Sequence, residues 1–387
     1  MKKAAIYSFF ESHNIGDVLI AEQIKKIFSP YLSCEFFDIS SGKPSEQCAL
    51  KQFSTKNEAK KSSLKSKILN IPFLRDVITS FLFFRSKGYL DIVSAGRDCE
   101  VAIFAGGNII MELNRFPTGS LTLYRTVKKL KKENKKVCFC FCGVGPFASV
   151  FGRRIAKKII SSADFISVRD SYSLSCVKRL VPDKSVEIWP DPVLSFTPES
   201  VGEGDRNGIG VNVYFGCNEA LKTPMKEAYV KCVAQLREKY GEKPVYLFSS
   251  ELTDINDIYE VSESFSDDSL VRVEKISSRE ELFDLYSRVE VVLGARMHTV
   301  ITATVSKIPV ASIAWQGKVA AVMKLLEASH FNISAEEFIE TPEKAIASVE
   351  RCFDEKESYV NKTQNMISQI KNNANKKLED FVSLLED

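Results

Sequence analysis

Three features of the sequence predict an α/β protein built as two parallel-sheet halves. Short apolar runs alternate with segments of helical spacing, and this alternation stops once and restarts. The break falls over 190–207, where Pro190, Pro192, Pro198, Gly202 and Gly204 crowd together. The length, 387 residues, suits two domains of about 100–200 residues each.

The first half opens with an apolar run at 3–10, read as a strand. Helical spacing follows at Val18, Ile20, Ala21, Ile24, Ile27 and Phe28, predicting a helix over 17–28. Strands are expected at 33–39 and 100–105, the latter ending in Gly106-Gly107. A basic amphipathic helix over 118–133 leads into a strand at 137–142, closed by a Gly143-Val144-Gly145-Pro146 turn. Strands at 163–168 and 186–189 flank a helix over 171–180. After the break, strands are expected at 208–213, 244–248, 270–273, 289–293 and 309–313. Helices are expected over 220–240, 278–287, 299–306 and 318–328, and the charged tail reads as helical. The expected domains are 1–190, with a basic helical insertion near 45–98, a linker over 191–207, a second domain over 208–335, and C-terminal helices over 336–387. Two such halves fit two Rossmann-like domains facing across a cleft, a glycosyltransferase-B-like arrangement. Ligands of such sheets sit beyond the carboxyl ends of the strands, so the expected site is the cleft between the two halves.

Composition narrows the function. Apolar residues make up 44% and charged residues 27%, which excludes a disordered or fibrous chain. Lys+Arg number 53 against 50 Asp+Glu, too balanced for a dedicated nucleic-acid binder. The opening residues fail as a signal peptide, and no run approaches the ~20 apolar residues of a spanning helix. The ten cysteines include no CxxC pair. Cys138, Cys140 and Cys142 are expected on one face of a strand, spaced too widely to share a zinc ion and buried as small hydrophobes. A reducing cytoplasm is the expected compartment. From Lys51 to Lys87 stand nine Lys/Arg against Glu58 and Asp76, beside the apolar run Phe81-Leu82-Phe83-Phe84. That stretch reads either as a packed insertion or as a contact with the inner face of an anionic membrane.

Five turns at strand ends are candidates to carry chemistry. In Asn14-Ile15-Gly16-Asp17, Gly16 permits close backbone approach, and Asp17 is placed to cap the helix. Gly106-Gly107-Asn108 permits something to approach the backbone, or simply turns it. In Arg169-Asp170, the arginine is placed to project into the cleft, with Asp170 capping the next helix and orienting it, or the pair is simply structural. Gly294-Ala295-Arg296-Met297-His298 is the sharpest, because Arg296 offers a planar fork for phosphate or carboxylate, and His298 offers a group titrating near neutrality. In Trp315-Gln316-Gly317-Lys318, the ammonium reaches either the cleft or solvent.

Taken in order, these residues resemble the polysaccharide pyruvyl transferase family. The match runs through Asn14-x-Gly16-Asp17, Gly106-Gly107, Arg169-Asp170 with Ser173 and Leu180, and Asp191-Pro192. It is closest in Gly294-x-Arg296-x-His298-x-x-Ile301-x-Ala303, then Pro309 and Lys318-Val319. The chain departs from the family at Ala105, where a third glycine is common, and at Gln316, where an aspartate is common. The resemblance implies transfer of pyruvate from phosphoenolpyruvate onto two hydroxyls of one sugar, forming a cyclic ketal. The sugar would belong to a bacterial exopolysaccharide, capsule or wall polymer, often while lipid-linked. It implies no metal or cofactor. His298 and Arg296 would be catalytic, with Arg169, Arg296 and Lys318 on the donor. Asn14, Gly16, Asp17, Gly106, Gly107 and Asn108 would meet the acceptor or shape the loops. Two other readings stay open on the same architecture: a nucleotide-sugar glycosyltransferase and a non-catalytic sugar-binding protein.

Overall fold

The structure, a computed structural model, describes residues 2–12, 14–48, 88–112, 118–198, 206–216 and 218–386. The stretch from Lys51 to Lys87, with its expected membrane contact, lies outside the described residues, as does His13. The chain forms two compact units. The first comprises Met1–Glu11, Ile24–Pro190 and Val382–Asp387, and the second comprises Ser12–Gln23 and Asp191–Phe381.

The first unit holds β1 (Lys3–Ser8), β2 (Ser33–Asp38), β3 (Val101–Ala105), β4 (Asn108–Glu112), β5 (Lys136–Phe147), β6 (Phe165–Val168) and β7 (Glu187–Ile188). The sheet order is β2-β1-β3-β5-β6-β7, every pair is parallel, and β4 pairs with the distal part of β5. Strands such as β3 are apolar and buried at every residue, because helices cover both faces of a parallel sheet. Those helices are α1 (Ile15–Phe28), α2 (Gly88–Ala95), α3 (Thr118–Lys132), α4 (Val150–Ser162) and α5 (Ser171–Leu180). Helix α4 is capped by Ser149 and turns Ile155, Ala156, Ile159 and Ile160 inward. Stacked rings of Tyr7, Phe104 and Phe139 run across the core, with centroids 5.0 and 5.2 Å apart.

The second unit holds β8 (Gly208–Asn212), β9 (Val245–Phe248), β10 (Val271–Glu274), β11 (Val289–Gly294), β12 (Val310–Ala314) and β13 (Asn332–Ser334). Its order, β10-β9-β8-β11-β12-β13, is the dinucleotide-binding strand order, parallel throughout. Its helices are α6 (Glu219–Lys239), α7 (Ile255–Ser262), α8 (Arg279–Arg288), α9 (Met297–Val305), α10 (Gly317–Leu325), α11 (Ala335–Glu340), α12 (Glu343–Asp354) and α13 (Lys356–Glu386). The first turns of α1 and the last residues of α13 each belong to the other unit from the rest of their helix.

Several expectations need correction. The Gly143–Pro146 segment is no turn: β5 runs through it to Phe147, with a cis peptide before Pro146. The three cysteines do not share a face. Phe141 takes a φ of 58°, the register slips between Phe139 and Cys142, and Cys142 joins Phe139 in the core cluster while Cys138 and Cys140 do not. The start of the expected linker is packed: Asp191, Val193 and Leu194 are buried around a short 3-10 turn. Strands β4 and β13 and helices α4 and α7 have no counterpart among the expected elements.

Candidate active site

In the second unit, strand order reverses between β8 and β11, and open parallel sheets take their ligands beyond the carboxyl ends of the strands at such a reversal. The 294–298 turn leaves β11 at that place. Asn212, the last residue of β8, pins it, because its Oδ1 accepts from the Ala295 and Arg296 amides at 3.1 and 2.8 Å. Arg296 therefore sits at the mouth of α9, with its side chain turned onto other partners.

Those partners are two carboxylates and a ring. Nε donates to Asp254 Oδ2 at 2.9 Å, Nη2 donates to Asp254 Oδ1, and Nη1 lies 2.7 Å from Glu251 Oε2. The guanidinium carbon stands 3.8 Å from the Tyr214 ring centre. Burial opposes the Arg296 charge, but its bonds to Asp254 and the charges of Asp254 and Glu251 outweigh it, so its pKa moves up. Burial raises the Asp254 carboxyl above the ordinary aspartate range, against the pull of Arg296. Three of the five N–H donors are thus engaged within the protein.

His298 lies in the first turn of α9 with its side chain 9% exposed. Its Nε2 stands 3.6 Å from Asp191 Oδ2, and that nitrogen is buried without a hydrogen bond. The other side of the ring rests on Gly16. A Cβ at Gly16 would come within 1.9 Å of His298 Nδ1, which excludes every residue but glycine unless the imidazole moves. The loop is fixed from below: Ile15 N donates to Ser250 O at 3.1 Å, and Asn14 Nδ2 donates to Glu251 Oε2 at 3.2 Å. Asn14, not Asp17, caps α1, accepting from Gly16 N at 2.8 Å. Asp17 instead accepts from Ser12 Oγ at 3.0 Å.

Lys318 belongs to the same group through aromatic rings. Its Nζ is 5.4 Å from the Trp315 ring, and Trp315 meets Tyr214 edge-on at 4.7 Å. Lys318, Trp315, Tyr214 and Arg296 thus touch in succession.

Arg169 and Asn108 form a separate cluster at the carboxyl edge of the first sheet. Arg169 Nη2 donates to Asn108 Oδ1 at 2.6 Å, and its Nε is 3.6 Å from Asp170. Asp170 caps α5 through Ser173 N at 2.6 Å. Gly106 and Gly107 take φ values of 72° and 67°, where a side chain is strained, and a Cβ on Gly107 would meet the Phe9 ring at 2.6 Å. A Cβ on Gly143 would stand 2.0 Å from Asn108 Oδ1.

The structure therefore gathers Asn14, Gly16, Asp17, Arg296, His298 and Lys318 in the second unit, and Gly106, Gly107, Asn108 and Arg169 in the first. Asn212, Tyr214, Glu251 and Asp254 are not among the residues expected from the sequence, and Asp191 enters there only within a motif. The available signal was position: Ser249-Ser250-Glu251 directly follows an apolar strand, where a parallel sheet places its ligand contacts. Among the described residues, no group of three or more His, Cys, Asp or Glu side chains is placed to hold a metal ion.

Similar solved structures agree on the fold. UDP-GlcNAc 2-epimerase from Neisseria meningitidis, bound to UDP-GlcNAc, superposes with a TM-score of 0.57 at 12% identity over 100% of both chains. An E. coli trehalose-6-phosphate structure with UDP-2-fluoro glucose gives 0.58 at 12% identity, over 100% of this chain and 99% of that one. Anabaena Alr3699/HepE in complex with UDP and glucose gives 0.57 at 8% identity, over 99% and 100%. At these identities the likeness shows the fold alone: α/β, with two Rossmann-like domains of glycosyltransferase-B type. No curated protein sequence matches the chain. The family model described as polysaccharide pyruvyl transferase matches residues 14–317, from the loop under His298 to the start of α10. On that match, spanning most of the chain, the protein belongs to the polysaccharide pyruvyl transferase family.

Proposed function

We propose that the protein moves the pyruvyl group of phosphoenolpyruvate onto two hydroxyls of one sugar in a bacterial surface polysaccharide, forming a cyclic ketal. The observation that carries this reading is the 294–298 turn. It sets a clamped guanidinium and a buried imidazole at the switch point of a dinucleotide-type sheet.

The donor carries a phosphate and a carboxylate. In this reading, Arg296 offers it the two N–H groups left by Asp254 and Glu251, and Lys318 adds a second cation. Glu251 and Asp254 fix the fork in advance, so less freedom is lost on binding. His298, beside Asp191, is the proton-handling group. The methylene carbon gains a proton, and a sugar hydroxyl adds to the neighbouring carbon and loses its own proton. Phosphate then leaves, and the second hydroxyl closes the ring with loss of its proton. Asn14, Gly16 and Asp17 shape the wall against which the imidazole rests. The assignment of Arg169 to the donor, and of Gly106, Gly107 and Asn108 to the acceptor, rests on the family resemblance. We extend the reading to an acceptor carried on a lipid, at the inner face of the cytoplasmic membrane.

The test is phosphate release from phosphoenolpyruvate in the presence of acceptor, together with thermal shifts. A ligand at 100 times its dissociation constant adds about 2.7 kcal/mol of stability. Stabilisation by phosphoenolpyruvate is expected. Stabilisation by UDP-sugars instead, with nucleotide release, would replace this reading with glycosyl transfer.

A further inference from the structure

Helices α3 and α4 pack side by side on the first unit, and their composition is one-sided. Together they carry nine Lys or Arg and no Asp or Glu. Lys129 pairs with Glu133 and Lys131 with Asp164. Arg153, Arg154, Lys157 and Lys158 are exposed along α4.

The apolar part of this face is as unusual as its charge. Val150 and Phe151, adjacent at the start of α4, are 57% and 48% exposed. Single exposed hydrophobes are common on soluble proteins, but two large neighbours rimmed by cations are not. Phe151 borders a groove of about 770 Å³ lined by Leu121, Tyr124, Arg154, Ile155 and Lys158. Lys158 Nζ rests 5.5 Å from the Tyr124 ring, so its stem covers apolar surface while its charge stays outward.

We propose that this face docks on an anionic lipid bilayer, with Phe151 and Val150 entering the headgroup boundary and the α4 cations meeting lipid phosphates. Charge complementarity selects the anionic surface. The exposed apolar pair selects a bilayer over a nucleic acid, whose phosphate backbone offers it nothing to enter. No helix among the described residues is long and apolar enough to cross a membrane. The residues invoked lie outside the sequence stretch from Lys51 to Lys87, and the proposal is independent of the pyruvyl-transfer reading.

Co-sedimentation of the full chain with vesicles tests it. Vesicles of phosphatidylglycerol and phosphatidylcholine in equal parts should carry the protein down, and phosphatidylcholine alone should not. Binding should weaken with added salt. Lys157→Gln with Lys158→Gln should weaken partitioning by about 30-fold. Phe151→Ser should weaken it with no change in thermal midpoint, because the side chain is half exposed. Vesicle binding that survives both variants overturns the proposal by locating the contact elsewhere. Equal binding to neutral vesicles overturns it as well. So does retention on heparin, unchanged in Phe151→Ser, without any binding to lipid.

Discussion

At the scale of single residues, the decisive contact is that of Gly16 with the His298 imidazole. A methyl group there collides with Nδ1, so Gly16→Ala must displace the ring from its present place beside Asp191 or shift the start of α1. We expect this variant to fold and bind donor but turn over slowly, with kcat reduced far more than KM is raised. A rise in KM alone would place the imidazole in binding. The companion variants ask what the ring does. His298→Ala should cost about 10²–10⁴ in rate. His298→Gln keeps a hydrogen-bonding group that cannot titrate. If it retained most of the rate, proton transfer by His298 would be wrong.

At the scale of elements, β11 is held by charge as well as by its apolar side chains. Glu290 on that strand accepts from Lys243 Nζ at 2.9 Å and from Lys356 Nζ at 3.2 Å, which ties the start of α13 to the sheet. Burial works to raise its pKa, but the two lysines prevail and hold the carboxyl below the usual glutamate range. A carboxyl whose folded pKa lies below its unfolded one stabilises fully above the unfolded value, about 4.3. The contribution fades as pH falls through the folded value. Glu290→Gln should therefore lower urea stability at neutral pH by under about 1 kcal/mol, the lysines being partly exposed. It should also flatten the loss between neutral and acid pH. An unchanged acid limb would mean the pairs contribute nothing. What was legible at this scale follows from local pattern. The apolar runs of β1, β3, β8 and β11 declared themselves, as did the turns after them. Strand β4 did not, because Ile109-Ile110-Met111 is too short to show a period and is stabilised by β5, distant in sequence. The flip of Cys142 was equally hidden, since it depends on a positive φ at Phe141 that no residue type there announces. The clamp on Arg296 was invisible for a related reason: Glu251 and Asp254 come from another strand end, more than forty positions away.

At the scale of the whole molecule, the chain does not divide into two successive pieces. Its last residues return to the first unit, where Leu385 is buried and its carbonyl accepts from Lys2 and Lys136. Leu385→Ala should remove about 2–5 kcal/mol from that unit. Amide exchange should quicken across β1 and β3 and stay slow across β8 and β11. An equal loss of protection in both sheets would refute the assignment of the tail to the first unit. The reverse crossing, Ser12–Gln23 in the second unit, has a consequence for how the protein is made. Asn14 and its partner Glu251 are 237 positions apart, and His298 follows later still. At about 5–20 residues per second, the ribosome delivers the second member of that pair roughly 10–50 s after the first. During that interval the nascent loop has no partner to settle against. A gene fragment encoding only the later half would yield a sheet with its histidine but no floor beneath the ring.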